Sequence, residues 1–240
     1  MKIRGYYVSA ATFAACFYIT VPAHAGAFDG PFVGIDIGYD HAETQDNYED
    51  TSVDPTKSEN YDGYSLNGLA GGIYAGYDFR INENVFTGVE IRAGLSNSKF
   101  SASYFDKNGV KQKFYERANP SFSATTRLGF LLNEKTGVYL RGGVAQTRIK
   151  MSDTYGFYLG DDSEGNEQYT NSIKDNNIGL LFGAGLETAV GKKTSLRVEY
   201  NVVQHGEIFE KVNSLRYDNG QTYKEDFSNH QVRLGLSYQF

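Results

Sequence analysis

The stretch Gln231-Val232-Arg233-Leu234-Gly235-Leu236-Ser237-Tyr238-Gln239-Phe240 alternates Val232, Leu234, Leu236, Tyr238 and Phe240 with Arg233, Gly235, Ser237 and Gln239. A period of two gives a strand one apolar and one polar face. The segment closes on an aromatic side chain, which suits a strand whose apolar face meets lipid and whose tip lies at a bilayer interface. The reading of this segment therefore predicts one wall strand of a membrane barrel.

The same period recurs upstream. Val33, Ile35, Ile37 and Tyr39 share one face of a strand whose other face carries Gly34, Asp36 and Gly38. Further outward sets are Leu69 to Phe79, Val85 to Leu95, Phe122 to Leu132, Val138 to Val144, Ile178 to Leu186 and Leu196 to Val202, each taken at every second residue. Short turns are expected at Asn82-Glu83-Asn84, at 133–137 and at Gly191-Lys192-Lys193, and long polar connections at 42–63, 150–174 and 206–228. Residues 100–114 keep alternating around Asp106-Lys107-Asn108-Gly109, because Asn-Gly accepts positive φ at little cost, and read as a hairpin running beyond the membrane. The fold class is thus all-β: an eight-stranded antiparallel up-and-down transmembrane barrel with long extracellular loops.

A soluble eight-stranded carrier would alternate as well, but with its apolar face inward. Here the minor face holds Asp36, Glu90, Arg92, Arg127, Arg141, Glu187, Arg197, Glu199 and Arg233 among glycines. Turned outward, that face would leave roughly thirty large apolar residues to fill a lumen too narrow for them. The charges are therefore expected inside. Arginine forks pair bidentately with carboxylates, so this set reads as a lumen ion-pair network that fills the barrel; the other reading is an ion path selected by the same charges.

At the N-terminus Lys2 and Arg4 precede an apolar stretch to Val21, and Ala23-His24-Ala25 fits a small-x-small cleavage pattern. A secretory signal is predicted over 1–25, cleaved after Ala25, with residues 26–240 forming a single barrel domain. Cys16, the sole cysteine, falls in that signal, so no disulfide is expected in the mature chain. The net charge of −6 becomes more negative when Lys2 and Arg4 leave, which argues against nucleic acid as a partner. Mean hydropathy of −0.47 with no second long apolar run argues against a helical membrane protein.

With its cleavable signal, Gly-rich strands and Arg233/Gly235/Tyr238/Phe240 ending, the chain resembles the opacity-type and OmpA-like small outer-membrane barrels, a superfamily that includes porin-like surface antigens of Gram-negative bacteria. The resemblance implies an outer-membrane location, with lipid and lipopolysaccharide around the barrel. It also implies that Arg233, Gly235, Tyr238 and Phe240 form the signal read by the outer-membrane assembly machinery. Function is implied poorly, since members stabilise envelopes, adhere or bind haem. The leading expectation is a non-enzymatic surface protein that supports the envelope and offers tyrosine-rich loops (Tyr48, Tyr61, Tyr64, Tyr104, Tyr155, Tyr158, Tyr217, Tyr223) to a host or environmental ligand. The alternatives are a narrow channel and a lipid-modifying enzyme. For catalysis His41, His205 and His230 lie near outer strand ends, but no Gly-x-Ser-x-Gly elbow accompanies them. No cofactor or metal is expected: the acidic run Asp161 to Glu167 lacks EF-hand spacing, and no local motif singles out a haem ligand.

Overall fold

The computed structural model describes residues 28–50, 57–105, 111–157, 167–208 and 221–240. Its strands are β1 (Gly30–Asp50), β2 (Lys57–Arg80), β3 (Val85–Ser96), β4 (Lys99–Phe105), β5 (Lys111–Asn133), β6 (Thr136–Phe157), β7 (Glu167–Ala189), β8 (Thr194–Ile208) and β9 (Gln221–Gln239). All ladders are antiparallel, and β1 pairs with both β2 and β9, so the sheet closes into a ring. The expected count was eight; nine segments appear because β3 and β4 lie end to end in one wall position between β2 and β5. The break falls at Asn97 and Ser98, where the Ser98 N–H turns to the Ser96 hydroxyl (3.1 Å).

Two of the short turns share one device. Asn82 Oδ1 accepts from the N–H groups of Asn84 and Val85, and Asn133 Oδ1 accepts from those of Lys135 and Thr136, all at 2.9 Å. An Asn side chain that mimics a backbone turn in this way closes a hairpin tightly. These turns, Phe28 and Phe240 share one end of the barrel. Above them a belt of exposed apolar side chains encircles the ring, from Val33 to Tyr39 on β1 round to Val232 to Phe240 on β9. At about 3.3 Å per residue and a tilt near 40°, the eight steps from Val232 to Phe240 on β9 span about 20 Å, approaching the height of a lipid-facing band.

The described residues of the stretches expected as loops at 42–63, 150–174 and 206–228 are strand. β1 and β2 stay paired out to Asp50 and Lys57, and β6 and β7 out to Phe157 and Glu167. Above the belt the outer face meets water, so the apolar half of the alternation vanishes while the backbone ladder continues. Described parts of these extensions form two sheets: β2 residues 57–66 pair only with β1, and β7 residues 167–179 only with β6. Register shifts at Glu43/Gln45, at Ala118/Ser121 beside Pro120, and at Gln204/Gly206 mark the level of the split. Bulges bend strands in this way, and proline has no N–H to give a ladder. The two sheets pack face to face through Ala42, Leu66 and Phe227 on one side and Ala118 and Ile149 on the other.

Candidate functional site

Inward alternation brings all nine charged residues of the minor face into the lumen, where most are fully buried. They form linked ion pairs. Glu90 accepts from Arg141 (2.9 Å) and Arg197 (2.6 Å), and Glu199 accepts from Arg141 (2.7 Å). Arg197 also lies with its guanidinium 3.5 Å from the Tyr74 ring centroid. Towards the turn end, Arg127 donates to Asp78 and, at 2.9 Å, to Glu187, and it stacks over Phe32, Phe86 and Tyr139. Towards the outer end, Arg92 grips Asp36 through two bonds of 2.7 and 2.6 Å, and Arg233 donates to Asp40.

Asp40, Asp78 and Glu116 also point inward, and the charge set named from the sequence omitted them. Alternation places Asp78 inward with Tyr74, although the ion-pair set leaves it out, and the same parity reaches Asp40, four residues from Asp36. Glu116, which accepts from the Tyr64 hydroxyl, lies between the hairpin expected at 100–114 and the outward set that begins at Phe122, a stretch whose facing the alternation leaves unassigned.

Packing above and below closes the column. Phe28, Phe86, Leu131 and Tyr139 cluster at the turn end, and Ala145, Leu181 and Val203 lie above the charges. Among the described residues a void of about 10 Å³ lies beside Arg92, Arg141, Asn201 and Arg233, room for about one water.

The four residues of the C-terminal motif separate in space. Arg233 belongs to the lumen network. Gly235 leaves room for it: a Cβ there would meet Arg197 Cγ and the Tyr74 hydroxyl at 2.9 Å. Tyr238 and Phe240 are outward and pack edge to face at 5.4 Å. Ala23 and Ala25 lie outside the described residues, as do the acidic run 161–166 and Tyr158 and Tyr217.

Residues 11–240 match the outer membrane protein beta-barrel domain family. The chain belongs to that family. It is 28% identical over 223 residues to the 31 kDa outer-membrane immunogenic protein of Brucella melitensis, covering 91% of this chain and 86% of the relative. The 25 kDa outer-membrane immunogenic protein of Brucella abortus is 28% identical over 217 residues, 90% of this chain and 79% of that one. Among solved structures, Ail, the attachment invasion locus protein of Yersinia pestis, is similar with a TM-score of 0.41 and 17% identity, covering 88% of this chain and 99% of Ail. This family member is accordingly an outer-membrane β-barrel, surface-antigen-like, and its apolar belt faces the bilayer.

Outside the membrane-spanning segments the three histidines among the described residues separate. His41 and His230 are cross-strand partners on the outer face just beyond the belt. Hydrogen bonds to Asn67 and Glu43 raise the His41 pKa. His230 Nδ1 meets the Tyr200 hydroxyl at 2.7 Å. His205 instead points inward above Val202, 5.4 Å from the Phe227 ring. Burial pulls its pKa from the ordinary 6.5 down to about 4, against a smaller opposing pull from the Asn177 backbone. Neither ring nitrogen makes a hydrogen bond of good geometry.

A neutral His205 in the fold and a protonated one in the unfolded chain mean that the unfolded state binds the extra proton. Its contribution is fully present above about 6.5 and is lost as pH falls towards about 4. Urea unfolding in vesicles is expected to show a midpoint that drops across this window more steeply in the wild type than in His205→Phe. Parallel pH profiles for the two proteins would refute the assignment.

Tyr64, grouped above with the loop tyrosines, is half-buried in β2 and stacks on Phe100 at 4.3 Å between the two upper sheets. It is a packing residue, because its parity on β2 matches that of buried Leu66.

Proposed function

We propose that this barrel is a closed, non-enzymatic surface protein that supports outer-membrane integrity and carries its paired strand extensions outward for contact with a host or environmental ligand. The observation that carries the reading is the lumen, filled in succession by an aromatic cluster, the ion-pair column and two apolar clusters. Side chains so linked add rigidity to a scaffold and leave little for a permeant ion to traverse. This reading gives the histidines structural roles: His41 bonds Asn67 and Glu43, His230 meets the Tyr200 hydroxyl, and His205 packs against Phe227. Residues 1–25 act in this reading as the cleaved export signal, and Arg233, Gly235, Tyr238 and Phe240 as the assembly signal.

The test is planar-bilayer recording with purified, refolded protein, paired with detergent survival of cells that lack the chain. The expected outcome is an absence of large, reproducible open-channel steps together with reduced survival. Regular conductance steps would favour the narrow-channel alternative.

A further inference from the structure

On the outward face of one upper sheet the register gathers basic side chains from three adjacent strands. Lys99 on β4 is opposite Arg117 on β5, and Arg117 is opposite Lys150 on β6. Arg148 lies two residues below Lys150 on the same face. Lys99, Arg117 and Arg148 are exposed and Lys150 half-exposed, and none of the four has a carboxylate partner among the described residues. Arg148 donates its Nε–H to Asn176 Oδ1 (2.9 Å), which orients the guanidinium.

Height gives the row its meaning. The top apolar level of the belt here is Phe122 and Ile178, which flank Gln146 on either side. Two residues along a strand tilted near 40° climb about 5 Å and one step across the ladder shifts height by about 3 Å, so Arg148 sits about 5 Å above Gln146, Lys150 about 10 Å above it, and Arg117 and Lys99 within about 3 and 6 Å of the height of Lys150. The polar zone of a leaflet begins at the lower height and extends through most of this range. At and just above the upper edge of the belt the other upper sheet presents His41, Glu43, Asn67, Gln204, Ser228 and His230, with no lysine or arginine among its described outward side chains there. In a chain of net charge −6 the described lysines and arginines at headgroup height are thus on one side.

We propose that Lys99, Arg117, Arg148 and Lys150 form a binding surface for the phosphate groups of the outer-leaflet lipid, seating a phosphorylated glycolipid against one side of the barrel. Continuity with the belt selects a lipid over a soluble anion, because acyl chains can lie along Phe122 and Ile178 while the phosphates reach the row. The arginines supply planar forks for bidentate contact, and the lysines supply point charges. This inference depends on the outer-membrane location and is independent of whether the lumen conducts.

The experiment reconstitutes the full chain in phosphatidylcholine nanodiscs containing a small fraction of lipid A, then counts retained lipid A by native mass spectrometry. The wild type is expected to retain it, and to lose it progressively as ionic strength rises. Each single change, such as Lys150→Gln, is expected to weaken retention about five-fold. K99Q/R117Q/R148Q/K150Q is expected to fall at least ten-fold, with folding checked by heat-modifiable gel migration. H41Q/H230Q, on the other sheet, is expected to retain wild-type binding. Equal retention by the quadruple variant, or equal retention of dephosphorylated lipid A, overturns the proposal. Displacement by millimolar inorganic phosphate overturns the assignment to lipid.

Discussion

Replacing Arg197 by leucine is expected to lower the unfolding free energy by about 3–5 kcal/mol, read from urea titrations of vesicle-inserted protein. Arg197 is 2% exposed and joins Glu90 to Glu199 at the centre of the column. Without it, Arg141 alone faces both carboxylates, at 2.9 and 2.7 Å, and one buried negative charge is left without compensation. Tyr74 loses its stacked cation as well. A second substitution separates charge from packing. R197L/E90Q restores neutrality, since Arg141 and Glu199 then remain as a pair, and is expected to recover at least half of the loss. If the double variant is no more stable than R197L, the cost comes from the lost side-chain volume and the electrostatic account fails.

The lumen was legible because its chemistry violates the ordinary rule for a strand's hidden face. Glu90 and Arg92, or Arg197 and Glu199, share parity on segments whose opposite parity is continuously apolar, and only an inside-out barrel satisfies both sets. Which acid meets which arginine was not legible. Glu90 and Arg197 are 107 positions apart, and their meeting depends on the stagger of eight wall positions, which no single strand encodes. The outer half was misread for a related reason. Once β1 and β6 rise out of lipid, both of their faces tolerate polar residues, and a ladder held by backbone hydrogen bonds leaves little periodic trace in side chains. Thr44 illustrates this: it is buried and holds the Tyr64 backbone through its hydroxyl, yet in sequence it reads as one more polar residue of a loop. The basic row was hidden in the same way, because Lys99, Arg117 and Lys150 become neighbours only through the β4, β5 and β6 register.

Ile91→Arg is expected to cost about 2–4 kcal/mol of stability in a bilayer, the range found for arginine near the midplane of a barrel wall. Ile91 is 66% exposed and lies midway along the β3 belt between Val85 and Leu95. Its cross-strand neighbours are Ala75 and Ala124, so a longer side chain meets no steric obstacle. On a water-facing surface such a change would shift stability by no more than about 0.5 kcal/mol. The solvent around the belt therefore decides the size of the effect. Gln204→Arg, exposed on β8 at the upper edge of the belt opposite Leu180, serves as the interfacial control and is expected to cost no more than about 1 kcal/mol. Both variants are compared by reversible urea unfolding in vesicles. If Ile91→Arg were as silent as Gln204→Arg, the exposed apolar band would have no hydrocarbon against it, and the buried charges would need another reason to be inside. A large loss at Ile91 with little at Gln204 instead locates the upper limit of the hydrocarbon between those two heights, directly beneath the level of Arg148 and Lys150.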